Sequence, residues 1–246
     1  MSVSVIMPYF KKKEFINESI ESILKQTYKD FEILIIYDEE NTHDYGFVKD
    51  FEKKDKRIKV IKNLKNIGAG LSRNVGIEKS NNEYIAFLDC DDTWKKDKLE
   101  FQLNFMKEKN IDISFTAYDI VDKNGNIIKI REAKNYLEFK DLIRSCDIGL
   151  STVVIKKSLL DNKYSFPSIK TKEDYVLWLE LAKKNVKFYG INRSLTQWKK
   201  LNDSLSSNFF QKLKDGFVVY NKHMRYDIFT SSYYLLRLSL NYLFKM

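Results

Sequence analysis

Tyr84-Ile85-Ala86-Phe87-Leu88-Asp89-Cys90-Asp91-Asp92 sets an apolar run rich in strand formers directly against three carboxylates. Like charges side by side cost free energy unless a cation offsets them. Strand ends in α/β sheets are also where ligands usually bind. A hard divalent cation takes oxygen ligands, and Mg²⁺ commonly shares one or two carboxylates with substrate phosphates. As alternate residues, Asp89 and Asp91 point to one side and are placed to hold one metal–diphosphate unit. The bland alternative is a solvated acidic turn, or the N-cap of a helix starting at Asp97.

Working outward, the first half alternates strand and helix patterns. Val3–Met7 reads as a strand closed by Pro8, and Phe31–Tyr37 as a second, strongly buried one. Between them Phe15, Ile16, Ser19, Ile20, Ile23 and Leu24 fall at helical spacing. A polar loop from Asp38 to Asp44 precedes a short helix around Phe47–Phe51, a strand at Ile58–Ile61 and a glycine-entered helix from Gly68 to Ser80. Such alternation implies βαβ units and a mostly parallel sheet. Right-handed crossovers then bring Pro8, Asp38 and Asp89 to one edge. Further on come a helix at Leu99–Met106, a strand at Ile111–Tyr118, a hairpin turn at Asn124-Gly125, a strand at Ser151–Ile155 and a helix at Lys172–Lys184.

The chain has 246 residues, with 43 Lys plus Arg against 34 Asp plus Glu and a net charge of +9. That length buries a sizeable core without staples. The basic balance suits phosphorylated substrates, an anionic membrane or nucleic acid, but no zinc-finger or RNA-binding signature supports nucleic acid. Cys90 and Cys146 form neither a metal-ligand pattern nor a disulfide framework, and no stretch reads as a signal peptide or a membrane span. The expectation is a cytoplasmic protein.

At this point the residues resemble glycosyltransferase family 2, the inverting enzymes of GT-A fold. Val3–Tyr9 looks like the family's opening strand, and Ser22–Tyr28 with Asp30–Ile33 like its next segment. Asn66-Ile67-Gly68 with Ser72–Ile77 resembles its glycine-entered helix, and Glu83–Asp92 its DxD strand. Glu173–Trp178 resembles its later Glu-Asp motif, and Ser204-Leu205-Ser206 the end of a nucleotide-covering loop. The resemblance implies α/β architecture: a GT-A (Rossmann-like), mostly parallel sheet flanked by helices over residues 1–206. Residues 1–118 form the nucleotide-sugar half and 119–206 the acceptor half, followed by a helical extension over 207–246.

It also implies roles. Asp91, with Asp89 near the ribose or the metal, would hold Mn²⁺ or Mg²⁺ on the diphosphate of a nucleotide sugar. Pro8, Tyr9, Asn66, Gly70 and Arg73 join the donor side, Arg73 as a fixed positive charge. Asp38 and Glu39 either accept hydrogen bonds from base or ribose, or cap a loop. Asp174 is the expected general base and Glu173 its acceptor-orienting neighbour. The alternative is a helix capped by Thr171, with acidic residues in the first turn where the dipole favours them. Trp178 is either a sugar-stacking face or a core residue.

Two departures stand out. Asp38-Glu39-Glu40-Asn41 replaces the family's Asp-Asp-Gly-Ser turn, and Trp198-Lys199-Lys200-Leu201 stands where many members carry a histidine, with Lys199 a substitute contact for the diphosphate. The basic, aromatic tail reads as two amphipathic helices split near Asp227 that lie on a membrane, pack on the core or meet a second copy in a homodimer. The whole reads as a metal-dependent transferase moving a hexose or N-acetylhexosamine, expected to be UDP-linked, to a lipid-linked or lipopolysaccharide-type glycan at the inner face of a bacterial membrane. The competing reading is a non-catalytic, membrane-associated assembly partner.

Overall fold

The computed structural model describes residues 1–160, 164–201 and 209–245; Ser204-Leu205-Ser206 lie outside them. Nearly every expected element is present. The first half runs β1 (Val3–Tyr9), α1 (Ile16–Leu24), β2 (Phe31–Tyr37), α2 (Tyr45–Lys49), α3 (Phe51–Lys54), β3 (Ile58–Lys62), α4 (Ala69–Lys79) and β4 (Tyr84–Phe87). Next come β5 (Thr93–Trp94), α5 (Lys98–Lys109), β6 (Ile113–Val121), β7 (Ile127–Arg131), β8 (Tyr136–Leu137) and α6 (Phe139–Leu142). The chain continues through β9 (Val154–Lys156), α7 (Glu173–Lys183), β10 (Phe188–Lys199), α8 (Phe209–Val218) and α9 (Ile228–Lys245).

The strands form one sheet in the order β3-β2-β1-β4-β9-β6-β10-β5, with β7 on β6 and β8 on β10. From β3 to β4 every pair is parallel. Beyond β4 the sheet is mixed: β9 runs antiparallel to both β4 and β6, while β6 and β10 are parallel. The mostly parallel expectation therefore holds for the first half only. A short strand can reverse direction without changing its apolar pattern, so this is not legible in composition. Ser151–Ile155 is likewise split, with Leu150–Thr152 a single 3₁₀ turn before β9.

Both faces of the parallel half are covered, as its near-continuous apolar strands require. On β1, Val3, Val5, Met7 and Tyr9 enter one core and Ile6 the other. The chain steps from β1 to β2 and β3, then returns to the other side of β1 as β4. That reversal makes a crevice between the carboxyl ends of β1 and β4. Direct pairing of β1 with β4 stops at Ile6–Phe87. Pro8 lies past that point with a neighbour only on the β2 side, which is where a strand tolerates the missing N–H.

The tail packs on this body. Val219, Tyr220, Met224 and Leu238 belong to the larger core. Tyr220 Oη donates to Ile143 O at 3.1 Å and shares a 3.0 Å hydrogen bond with Tyr175 of α7. Asp227 marks the break between helices as expected: its carboxylate accepts the Phe229 and Thr230 amides at 2.9 and 3.1 Å. Among the described residues no helix is long and apolar enough to cross a membrane.

Candidate active site

The acidic tetrad leaves β4 in a turn closed by the Asp92 amide donating to Asp89 O at 3.0 Å. Its three carboxylates meet different surroundings. Asp92 is buried, accepting Ser151 Oγ at 2.6 Å and the Lys199 amide at 3.1 Å. Burial, followed by the charges of Asp91 and Asp89, lifts its carboxyl well above the ordinary range. Asp91 is less enclosed and holds the Lys12 ammonium at 2.7 Å. Burial and then Asp89 raise it too, against the pull of Lys12. Asp89 is the most exposed of the three carboxylates and meets Arg73 Nη2 at 2.7 Å.

Arg73 joins the two halves of the site. Its buried guanidinium also reaches Glu173 Oε1 at 2.6 Å through Nη1 and lies against the Phe166 ring. Burial alone would lower its pKa, but Asp89 and then Glu173 more than reverse that and keep it charged. Helix α4 can approach α7 this closely because residue 70 is glycine. A Cβ there would lie 3.0 Å from Glu173 Cγ and 3.1 Å from Pro167 O. Gly70 therefore makes room for Glu173, rather than for a ligand directly.

Asp174, next to Glu173 in the first turn of α7, is half-buried, and its Oδ1 accepts the Tyr175 amide at 2.7 Å. Its carboxyl is pushed up to about 7, first by burial and then by the charge of Glu173, against Arg73. A carboxylate poised near neutrality suits proton transfer. The start of α7 is held from the tail: Asp215 of α8 accepts both the amide and the hydroxyl of Thr171, at 2.9 and 2.8 Å. Sequence reading gave Thr171 a capping role and missed Asp215.

Other expected residues fall differently. Asp38 is buried and accepts Asn63 Nδ2, the Ile67 amide and the Gly68 amide at 2.8–2.9 Å. It locks the turn into α4, where Gly68 has φ of +87° and a side chain would be strained. Glu39 accepts the Lys11 amide and Asn66 stays exposed. The Tyr9 side chain is fully buried, stacked on Tyr37 and donating to Asp44 at 3.1 Å, so only its backbone lies at the strand end. Pro8 O accepts the Cys90 thiol at 3.3 Å. Trp178 is fully buried between Phe166 and Phe188, which corrects its placement on the acceptor side. Lys199 pairs with Glu18 at 2.6 Å. Lys12 was not singled out by sequence reading.

Among the described residues no group of three His, Cys, Asp or Glu is arranged to hold a metal alone. Asp91, whose ionisation is suppressed first by burial and then by the charge of Asp89, still fits a cation that brings phosphate oxygens as its other ligands.

The sheet, its switch point and its flanking helices make a GT-A fold. The chain belongs to glycosyl transferase family 2, whose model matches residues 4–165. It is 35% identical over 221 residues to the putative teichuronic acid biosynthesis glycosyltransferase TuaG of Bacillus subtilis, covering 89% of this chain and 87% of that one. It is 36% identical over 213 residues to WfgD of Escherichia coli, a UDP-Glc:α-D-GlcNAc-diphosphoundecaprenol β-1,3-glucosyltransferase, covering 86% and 82%. In fold it is similar to S. aureus TarS crystallised with UDP-GlcNAc, with a TM-score of 0.71 at 22% identity over 96% of this chain and 70% of that one. The mannosyltransferase PcManGT of Pyrobaculum calidifontis with GDP-Man and Mn²⁺ gives 0.70 at 13% identity, covering 95% and 69%.

Proposed function

We propose that this glycosyltransferase moves a hexose or N-acetylhexosamine from a UDP-sugar to a lipid-linked glycan, with inversion at the anomeric carbon. The observation that carries the mechanism is the Arg73 bridge, which ties Asp89 at the end of β4 to Glu173 beside Asp174. It couples the donor and acceptor sides in one cleft. WfgD, with its nucleotide-sugar donor and diphosphoundecaprenol-linked acceptor, supports the substrate classes.

Asp91, with Asp89 nearby, would hold Mn²⁺ or Mg²⁺ at the diphosphate. The cation would offset the charge that the leaving nucleoside diphosphate gains. Asp174 takes the proton of the acceptor hydroxyl as that oxygen attacks the anomeric carbon. The new C–O bond forms while the bond to the diphosphate breaks, so no covalent glycosyl-enzyme is needed. Arg73 and Glu173 fix the base and the tetrad relative to each other. Asp38 and Glu39, holding the loops before α4 and after β1, shape the nucleotide side. We read Asn66 and Lys199 as residues of its margin, with Pro8 and Tyr9 contributing backbone.

The tail supports action at a membrane surface. Along α9, Phe229, Tyr233, Leu236 and Leu240 remain exposed, Phe229 by 88%, while Leu238 faces the core. An apolar stripe beside Arg225 and Arg237 suits an anionic interface. On that basis we assign the protein to the inner face of the cell membrane. Residues 1–206 are read as the catalytic domain and 207–246 as its helical extension, which shares the core.

The test is a set of UDP- and GDP-sugars scored for thermal stabilisation and slow hydrolysis, with and without Mn²⁺ or Mg²⁺. A UDP-sugar that stabilises the wild type only with metal, and fails with Asp91→Asn, is expected. Stabilisation unaffected by chelator would exclude the metal role.

A further inference from the structure

The loop after β1 places three lysines in succession, and they divide their partners. Lys13 Nζ meets Asp44 at 2.7 Å on the outer side. Lys11, in the left-handed region at φ of 52°, is held through its amide by Glu39 and carries its ammonium over Phe10. Lys12 alone of the three turns to the acidic tetrad, with Nζ 2.7 Å from Asp91 Oδ2. Its backbone is fixed, since Lys12 O accepts the Phe15 and Ile16 amides at 3.1 Å at the start of α1. The ammonium also lies 5.6 Å from the Phe15 ring centroid, and Lys199 Nζ lies 5.2 Å from the same centroid. Lys199 is spoken for by Glu18. Lys12 is thus the cation against the carboxylate assigned to the metal.

An ammonium and a divalent ion compete for one carboxylate oxygen and repel each other. A flexible four-carbon stem on a fixed turn lets the ammonium leave Asp91 while staying within reach of whatever anion arrives. A nucleoside diphosphate is such an anion, and its oxygens complete the metal's shell. We propose that Lys12 is the resident counter-ion of Asp91 in the donor-free enzyme and a diphosphate-binding residue in the loaded one. It disfavours metal alone and favours metal with nucleotide, so the two bind cooperatively. This rests on the donor-site reading above.

The experiment compares the wild type with Lys12→Gln and Lys12→Arg, each checked for folding by circular dichroism. Mn²⁺ affinity without nucleotide is read from the EPR signal of free Mn²⁺, and UDP affinity in excess Mn²⁺ by calorimetry. In Lys12→Gln, Mn²⁺ alone should bind about tenfold tighter and UDP with Mn²⁺ about tenfold weaker, the loss expected for one charged hydrogen bond. With UDP affinity in the absence of metal unchanged, the coupling between the ligands should then fall about tenfold, and Lys12→Arg should stay near the wild type. Unchanged or weakened binding of Mn²⁺ alone in Lys12→Gln would overturn the proposal, because a merely structural lysine weakens both. Coupled binding in the wild type alongside that result would leave the donor site standing. A wild type that binds no UDP at any Mn²⁺ concentration would remove the donor site and the proposal together.

Discussion

Arg73→Met tests the bridge that unites the cleft. The side chain is buried and serves two carboxylates, Asp89 at 2.7 Å and Glu173 at 2.6 Å, the latter well enclosed. Methionine fills much of the volume but leaves both acids without their cation. Breaking a buried pair from one side costs about 3–5 kcal/mol, because the surviving charge has lost its compensation. For a chain of this length that corresponds to a fall of about 6–20 °C in Tm. Urea unfolding at about pH 7.5, where exposed carboxylates stay ionised, reads the loss directly. Adding Glu173→Gln removes one orphaned charge and should recover about half of it, a coupling that a double-mutant cycle isolates. The same change acts on catalysis with a definite sign. Arg73 holds the Asp174 carboxyl down, so its loss moves that group above about 7 and shifts the acidic limb of kcat/KM to higher pH. A stability loss under about 1 kcal/mol, the scale of an exposed pair, or a double variant no better than the single one, would refute the reasoning.

Other consequences can be checked separately. Lys98 is buried against Trp94 and Gln102, and burial lowers its pKa from 10.5 to about 7. Between those values the unfolded chain binds the extra proton, so this residue makes stability rise with pH by up to about 1.4 kcal/mol per unit. Lys98→Met should abolish that slope relative to the wild type in urea titrations from about pH 7 to about pH 10, taken at roughly unit intervals; parallel curves would mean that burial does not hold Lys98 neutral. Asp215→Asn should loosen the start of α7, costing about 1–3 kcal/mol and lowering kcat with little effect on UDP affinity; an equal loss of UDP affinity would argue for a general rather than a local defect. Replacing Phe229, Leu236 and Leu240 by serine should reduce flotation with anionic liposomes at unchanged Tm, since these side chains are exposed; unchanged flotation would rule out the membrane stripe.

Much of the fold was legible because its strands are apolar runs cut off by turn residues. Phe31–Tyr37 was bounded correctly at both ends, and the glycine before α4 proved to need its positive φ. The tetrad and the Glu-Asp pair were legible as chemistry, since clustered carboxylates demand compensation. Arg73 was legible as a fixed positive charge, but the carboxylates it serves were not. Arg73 and Glu173 are far apart in sequence, as are Lys12 and Asp91, and Lys12 passes as a surface cation until the crossovers bring the segments together. Trp178 shows the limit of helical periodicity: spacing gives a face of α7 but not what lies against it. The tail shows the same limit twice over, because one side of α9 meets the core and the other does not. Asp215 carried no local signal, as its partner Thr171 belongs to a different helix start.

The most direct measurement is the pH dependence of sugar transfer in the wild type beside Asp174→Asn. The base works as a carboxylate, so wild-type kcat/KM should rise with pH through about 7, where burial and Glu173 have moved its ionisation. Asp174→Asn should keep metal-dependent UDP binding and lose turnover by a factor of about 10²–10⁴. A variant that transfers sugar at close to the normal rate, or retains the same rise in activity across neutrality, would contradict base catalysis by Asp174.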